Sequence, residues 1–292
     1  MKIKKWWGLN ILSLLLMPGL IIFIFFLIIP LIEIIRTSFY ENIPGAYMKM
    51  VWTLENYKDF LGSLWFIRNV LLFSLRIALI TTFFAMFFAY PPTYYIVRSA
   101  RNRSRPWFLG IVLSPLLINM VSLTMGWMII FRGHGILNRF TLWAGITSIP
   151  IRYMYDIKGV IICLIYIGTP YMIMCLLDSL SRIDPYFEEA AQNIGAKPLQ
   201  IFLKITLPLS VPGLFAGSLV VFSIAFSAFS IPFMIGSDRT PMIGVVIYDQ
   251  AMQLSNQPFA SAISVIIILI TLIIMYTYFT LFNKFFFRKL GI

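Results

Sequence analysis

Residues 178–208 read DSLSRIDPYFEEAAQNIGAKPLQIFLKITLP and lie between two apolar runs, 159–177 and 209–235. Each run is long enough to cross a bilayer, which takes ~20 helical residues. The stretch between them is therefore a polar insert outside the hydrocarbon, and it carries its own helical signals. Asp184 followed by Pro185 is an N-cap with proline at the first helical position. Glu188 and Glu189 then sit near the positive end of the helix dipole. Gly195 suits the C-terminal stop, where a positive φ is needed. Lys197-Pro198 opens a second short helix, which Leu207-Pro208 is expected to end. The reading is helix, turn, helix between two membrane spans, with 178–208 as one functional loop.

Working outward, six stretches reach spanning length: 9–32, 69–97, 106–131, 159–177, 209–235 and 259–282. The fold class is therefore all-α, a polytopic membrane helical bundle of six transmembrane helices forming one domain over residues 1–292. Composition agrees, with 60% hydrophobic residues and 12% charged, about half the charge of an ordinary soluble domain. The fifth span holds Pro212, Gly213, Gly217 and Pro232, so it is expected inside the bundle, where neighbours satisfy freed backbone groups. The first run follows Lys2, Lys4 and Lys5 but is too long for a signal-peptide core, and no small-x-small site follows it, so it reads as a retained helix. Segments 33–68 and 132–158 mix aromatics with charges and suit short interfacial helices.

The net charge of +12 suggests nucleic acid only until the charges are placed. With the N-terminus inside, the inner segments 1–8, 98–105, 178–208 and 283–292 hold 13 Lys/Arg, against 9 in the longer outer segments. The positive-inside rule thus puts both termini in the cytoplasm, and no nucleic-acid partner is implied. Cys163 and Cys175 stand twelve residues apart in one helix, ~18 Å by rise, which no disulfide can bridge. They read as packing residues. One histidine, His134, leaves no metal cluster to assemble.

Glu189-Ala190-Ala191, three residues, Gly195, nine residues, Ile205-x-Leu207-Pro208 resembles the EAA signature of the permease subunits of type I ABC importers at every position. The resemblance implies a coupling helix that seats in a cleft of the cytoplasmic ATPase and passes its closure to the membrane helices. By it Glu189, Ala190, Ala191 and Gly195 are coupling residues, with Ile205, Leu207 and Pro208 bracing the return to the fifth span. Ala78-Leu-x-Thr81-Thr82, Tyr90-Pro91-x-x-Tyr94-x-x-x-Arg98, Gly133-His-Gly135-Ile-Leu137-Asn138 and Asp184-Pro185 are similar to permeases of the spermidine/putrescine group, though Pro92 and Thr93 depart from the apolar residues expected there. The resemblance further implies a multi-pass bacterial inner-membrane location and a second permease subunit, a different chain. It implies two ATPase copies that use ATP and Mg, and a periplasmic or lipoprotein substrate-binding protein.

The chain itself has no Gly-Lys dipeptide, hence no phosphate-cradling Walker A loop, and no nucleophile-base-orienter set, so it is expected to bind no cofactor and catalyse nothing. Polar and aromatic residues within spans are candidates for the translocation path. They are Asn119, Ser122, Thr124 and Trp127 in the third span, Tyr166, Thr169 and Tyr171 in the fourth, and Ser223, Ser227 and Ser230 in the fifth. Interhelical packing or a bond back to the helix is the alternative role for each hydroxyl. Ammonium groups of a polyamine want carboxylates and aromatic faces. Aromatics abound, but the nearest acids, Asp178 and Glu33, lie at span edges. Arg76, inside the second span, either snorkels, pairs with an acid of another chain, or meets an anionic group of an anionic or zwitterionic substrate. A stand-alone secondary transporter needs a relay of buried acids, which the spans lack.

Overall fold

The computed structural model describes residues 16–43, 46–98, 104–237 and 241–290. In chain order its helices are α1 (Leu16–Thr37), α2 (Glu55–Gly62), α3 (Phe66–Arg98), α4 (Arg105–Leu117), α5 (Met120–Phe131), α6 (Ile136–Trp143), α7 (Ile157–Ser181), α8 (Tyr186–Asn193), α9 (Pro198–Phe226), α10 (Ser230–Ile235), α11 (Ile243–Tyr248) and α12 (Gln257–Leu290). A hairpin of β1 (Tyr40–Ile43) and β2 (Ala46–Trp52) separates α1 from α2. Six helical stretches among the described residues are long and apolar enough to cross a membrane: α1, α3, α7, α9, α12 and the run Met120–Trp143 that comprises α5 and α6. Residues 9–15 of the first expected span, Lys2, Lys4 and Lys5, and Arg101 and Arg103 lie outside the described residues.

The chain packs as two compact units, Met1–Ser63 with Ile247–Leu272, and Leu64–Val246 with Ile273–Ile292. In the first, α1 leaves its apolar side chains exposed, as a helix turned to lipid does. The hairpin pairs Tyr40 with Trp52 and Glu41 with Lys49, antiparallel. Buried Asn56 of α2 pins it, donating from Nδ2 to the carbonyls of Ser38 (3.0 Å) and Tyr40 (2.9 Å). Short helices do stand in both aromatic segments, as α2 and α6. The hairpin beside α2 was not expected from sequence.

The second unit is organised by α3, α7 and α9, which pack on one another around Ala85, Ala89, Met172, Leu176, Leu214 and Val221. Small residues make the α7–α9 contact close. A Cβ at Gly213 would stand 2.5 Å from Cβ of Ser179 and 2.9 Å from the carbonyl oxygen of Cys175, and one at Gly217 would strike Sδ of Met172. The glycines that weaken α9 as an isolated helix are thus what lets it sit inside the bundle. Cys163 and Cys175 are free, the first buried and the second half-buried.

Two expected boundaries are corrected. The span read as 106–131 is two helices, because Pro115 brings no N–H and the backbone turns extended at Ile118 (ψ 135°). Asn119 then restarts the helix by accepting the Val121 N–H on Oδ1 at 2.9 Å. Leu207-Pro208 does not end the helix after Lys197. A π-helical turn over Phe202–Thr206 precedes it, with the Leu207 N–H donating to the carbonyl of Phe202. That wide turn accommodates the proline, which has no N–H to offer one turn back, so the loop helix and the fifth span are one helix, α9.

The Gly133–Asn138 motif closes the chain after α5. A Cβ on Gly135 would collide with the carbonyl oxygen of Ile130, so only glycine fits against that helix end. Fully buried Asn138 donates from Nδ2 to the carbonyls of Arg132 (3.1 Å) and Ile151 (3.0 Å) and accepts the Ile151 N–H on Oδ1 (2.8 Å). Asn138→Ala strands those groups and is expected to cost about 1–3 kcal/mol. The check is a lower thermal midpoint of the detergent-solubilised protein with unchanged uptake per folded transporter.

Candidate functional site

Within 178–208 the first helix, the turn and the start of the second helix form as their signals require, while the second helix runs on through Pro208. Asp184 Oδ1 accepts the Tyr186 N–H at 3.0 Å and opens α8. Gly195 ends it with φ +84°, its N–H donating to the carbonyl of Gln192 (2.9 Å) while the Ala196 N–H donates to that of Ala191 (3.0 Å). This is the left-handed stop that a glycine adopts without strain. The Gln200 side chain then accepts the Lys197 N–H on Oε1 at 3.1 Å and starts α9.

The loop sorts its side chains into two sets. Ala191, Ile201 and Thr206 are buried, Ala190, Ile205 and Leu207 are half-buried, and Leu207 packs on the α3–α7–α9 core. Facing out are Tyr186, Phe187, Ile194, Leu199 and Leu203, with Glu189 and Pro208. Ile194 is 86% exposed and Leu199 67%. Bulky apolar side chains displayed on a loop beyond the apolar runs make it a candidate interaction surface. Polar Gln192 and Asn193 are exposed beside them.

Glu188 stands in the first turn of α8, as expected, and is also buried. Its Oε1 accepts from Arg98 Nε (3.2 Å) and from Thr206 Oγ1 (2.9 Å), and its Oε2 accepts from the Tyr94 hydroxyl (3.1 Å). Arg98 also donates from Nη2 to the carbonyl of Ile183 at 3.0 Å. One carboxylate therefore joins the last turn of α3, the loop helix α8 and the wide turn of α9. Removing one partner of such a buried pair costs about 3–5 kcal/mol. A second tie lies alongside, where Tyr90 of α3 bonds its hydroxyl to Ser210 of α9 (2.8 Å) and sets its ring edge-on to Phe202 (5.2 Å).

The residues expected along a translocation path are not gathered into one site. Ser227, Ser223, Thr124 and Thr169 donate back into their own helices, to Ser223, Leu219, Met120 and Ile165 carbonyls at 2.7–2.8 Å. Asn119 is a helix cap, Ser122 is exposed, Ser230 lies half-buried at the start of α10, and Tyr171 packs against the α3–α7–α9 core. What the structure does bring together is aromatic. Trp127 of α5 meets Tyr166 of α7 edge-on at 5.2 Å and Phe131 at 5.0 Å, and Phe131 stacks on Tyr153 at 5.4 Å. Tyr166 remains 38% exposed beside half-buried Trp127.

Residues 2–291 match the family described as binding-protein-dependent transport system inner membrane component. The chain belongs to that family. It is 35% identical to the spermidine/putrescine transport system permease protein PotB of Escherichia coli (strain K12), over 87% of this chain and 92% of that one. The PotB of Haemophilus influenzae is 30% identical over 92% and 93%. Among solved structures, a bacterial alginate ABC transporter in complex with alginate pentasaccharide-bound periplasmic protein has a chain of the same fold, with a TM-score of 0.73 at 20% identity over 97% of this chain and 96% of that one. The protein is an ABC importer permease of the inner membrane, the membrane component of a system whose ATPase is a separate subunit.

The permease carries two further polar features that bear on substrate. Both acids at span edges are already paired on the surface, Asp178 with Arg182 (3.1 Å) and Glu33 with Arg36 (3.6 Å). Arg76 is exposed on α3 and makes no ion pair among the described residues. Sequence reasoning missed the Glu188 junction because Tyr94 and Arg98 lie 94 and 90 positions away and Thr206 lies on a different helix, 18 positions on. The signal available was Tyr94 and Arg98, four apart and so on one helix face.

Proposed function

We propose that this permease imports a polyamine of the spermidine/putrescine class, handed over by a periplasmic or lipoprotein binding protein and driven by a pair of ATPase subunits that hydrolyse Mg-ATP. The observation that carries the substrate class is the 35% identity to E. coli PotB over 87% of this chain and 92% of that one. The Trp127–Tyr166 pair supports it, because ammonium groups bind aromatic faces and the intervening methylenes pack on them. The carboxylates that a polycation also needs come from a second, different permease subunit, since Asp178 and Glu33 are spent on local arginines. The basic inner segments put both termini and the 178–208 loop in the cytoplasm. There Glu189, Ala190, Ala191 and Gly195 form the coupling helix, and Ile205, Leu207 and Pro208 carry it into the fifth span. Residues 1–292 act as one permease domain, moving between inward-open and outward-open forms as the ATPase pair closes and reopens.

A second reading, an anionic or zwitterionic substrate, is favoured by Arg76, which is exposed and makes no ion pair among the described residues. Uptake into proteoliposomes of the assembled importer separates the two. Labelled spermidine is expected to accumulate with ATP, and Trp127→Ala to raise the half-saturating concentration about fivefold, the loss of one cation–π contact. Accumulation of an amino-acid derivative but not of spermidine, abolished by Arg76→Ala, contradicts the polyamine reading.

A further inference from the structure

We infer that Glu188 is a positioning residue that locks the coupling loop to α3 and α9 at once, so that a displacement of the loop reaches both helices as one movement. The inference rests on the coupling role proposed above for the loop. α8 has eight residues, too few to hold a helix on its own in water, so its attachment decides what its movement does. That attachment is concentrated on one carboxylate: Tyr94 and Arg98 bind it from the end of α3, and Thr206 binds it from α9. The Arg98 side chain extends the clamp to the Ile183 carbonyl, just before α8 begins. The burial of Glu188 keeps the junction in force, because an ionised carboxylate away from water does not exchange its partners cheaply.

The place that Thr206 occupies gives the junction its mechanical meaning. It ends the π-helical turn of α9, where the hydrogen-bond ladder steps from one spacing to another and the helix is easiest to deform. Without the bond to Glu188, movement of α8 is absorbed in that turn. With it, the turn is bridged and the push passes to the rigid part of α9, while Arg98 and Tyr94 carry the same push to α3. Glu189, the adjacent residue, is exposed and makes no ion pair among the described residues. The two neighbouring acids therefore divide the work, one facing outward to a partner and the other facing inward to the permease's own helices.

The test measures uptake and ATP hydrolysis in the same proteoliposomes of the complete importer and reads their ratio. Thr206→Val and Tyr94→Phe each delete one hydroxyl while keeping shape, and Glu188→Gln deletes the charge. Each is expected to lower substrate moved per ATP at least about threefold with the subunit stoichiometry of the purified complex unchanged, and Thr206→Ser to restore it. A purely structural role lowers the yield of complex but leaves the ratio per complex at the wild-type value, and that outcome overturns the inference. Ile194→Asp in the same assay separates the two readings. If it removes the ATPase while Thr206→Val and Tyr94→Phe keep the wild-type ratio, only the Glu188 inference falls. If Ile194→Asp keeps the ATPase bound and transport intact, both fall.

Discussion

Ile194→Asp, alone or with Leu199→Asp, is expected to abolish uptake while the chain remains in the membrane at wild-type abundance. Both side chains are exposed in the isolated chain, so the substitution disturbs little inside it, within about 0.5 kcal/mol. In the assembled importer the same residues are proposed to fill an apolar cleft on the ATPase. A carboxylate there loses its water without gaining a partner. Central apolar anchors of this kind contribute about 2 kcal/mol or more each, roughly a 30-fold weakening of subunit association. The measurement is co-purification of the ATPase subunit with tagged permease, alongside the permease signal in membranes. Gly195→Ala is expected to weaken coupling more mildly. The space around it is open, and the cost of about 1–2 kcal/mol comes from the left-handed backbone at φ +84°.

A large effect on the permease itself is expected at Gly213. Gly213→Val sets branched carbons where a Cβ alone already stands 2.5 Å from the Ser179 Cβ and 2.9 Å from the Cys175 carbonyl oxygen. The carbonyl belongs to the backbone of α7 and cannot rotate away, so α7 and α9 must separate. Separation strips contacts from Leu176, Leu214 and Val221 in the same core. Overpacking of this kind costs about 3 kcal/mol or more where no side chain can yield. The expected result is a collapse in yield of monodisperse protein in detergent and a lower thermal midpoint, with Gly213→Ala between variant and wild type. Lost function at normal yield for Gly213→Val contradicts the packing account, because it assigns the glycine to transport instead.

The two predictions probe different sets of residues, and the sets differ in how readable they were. Local chemistry was legible. Asp184 as cap and Gly195 as left-handed stop follow from a few neighbouring residues, and the structure has them, as it has long apolar helices over most of the expected spans, the third excepted. Features decided by distant partners or by the backbone as a whole were not. Pro208 reads as a stop, yet α9 passes through it because the π-helical turn over Phe202–Thr206 makes room. Pro115 and Asn119 sit in a run apolar enough to look continuous, yet they break it into α4 and α5. The β1–β2 hairpin is rich in aromatics and interrupted in register, so its alternation is faint, and the Pro44-Gly45 dipeptide between its strands was the usable turn signal. Glu188 looks, from its own helix, like any first-turn acid. Only the approach of Tyr94, Arg98 and Thr206 makes it a junction.

The most direct test of the central claim, that the 178–208 loop is where the ATPase engages this permease, is cross-linking from Ile194→Cys. Cys163 and Cys175 are replaced by alanine so that position 194 carries the single thiol. A short photoactivatable maleimide probe attached there in the complete importer is predicted to yield one dominant product, permease joined to the ATPase subunit, with a yield that differs between the nucleotide-free and ATP-bound states. A yield to the ATPase no higher than from an exposed site outside the loop, with transport intact, contradicts the account.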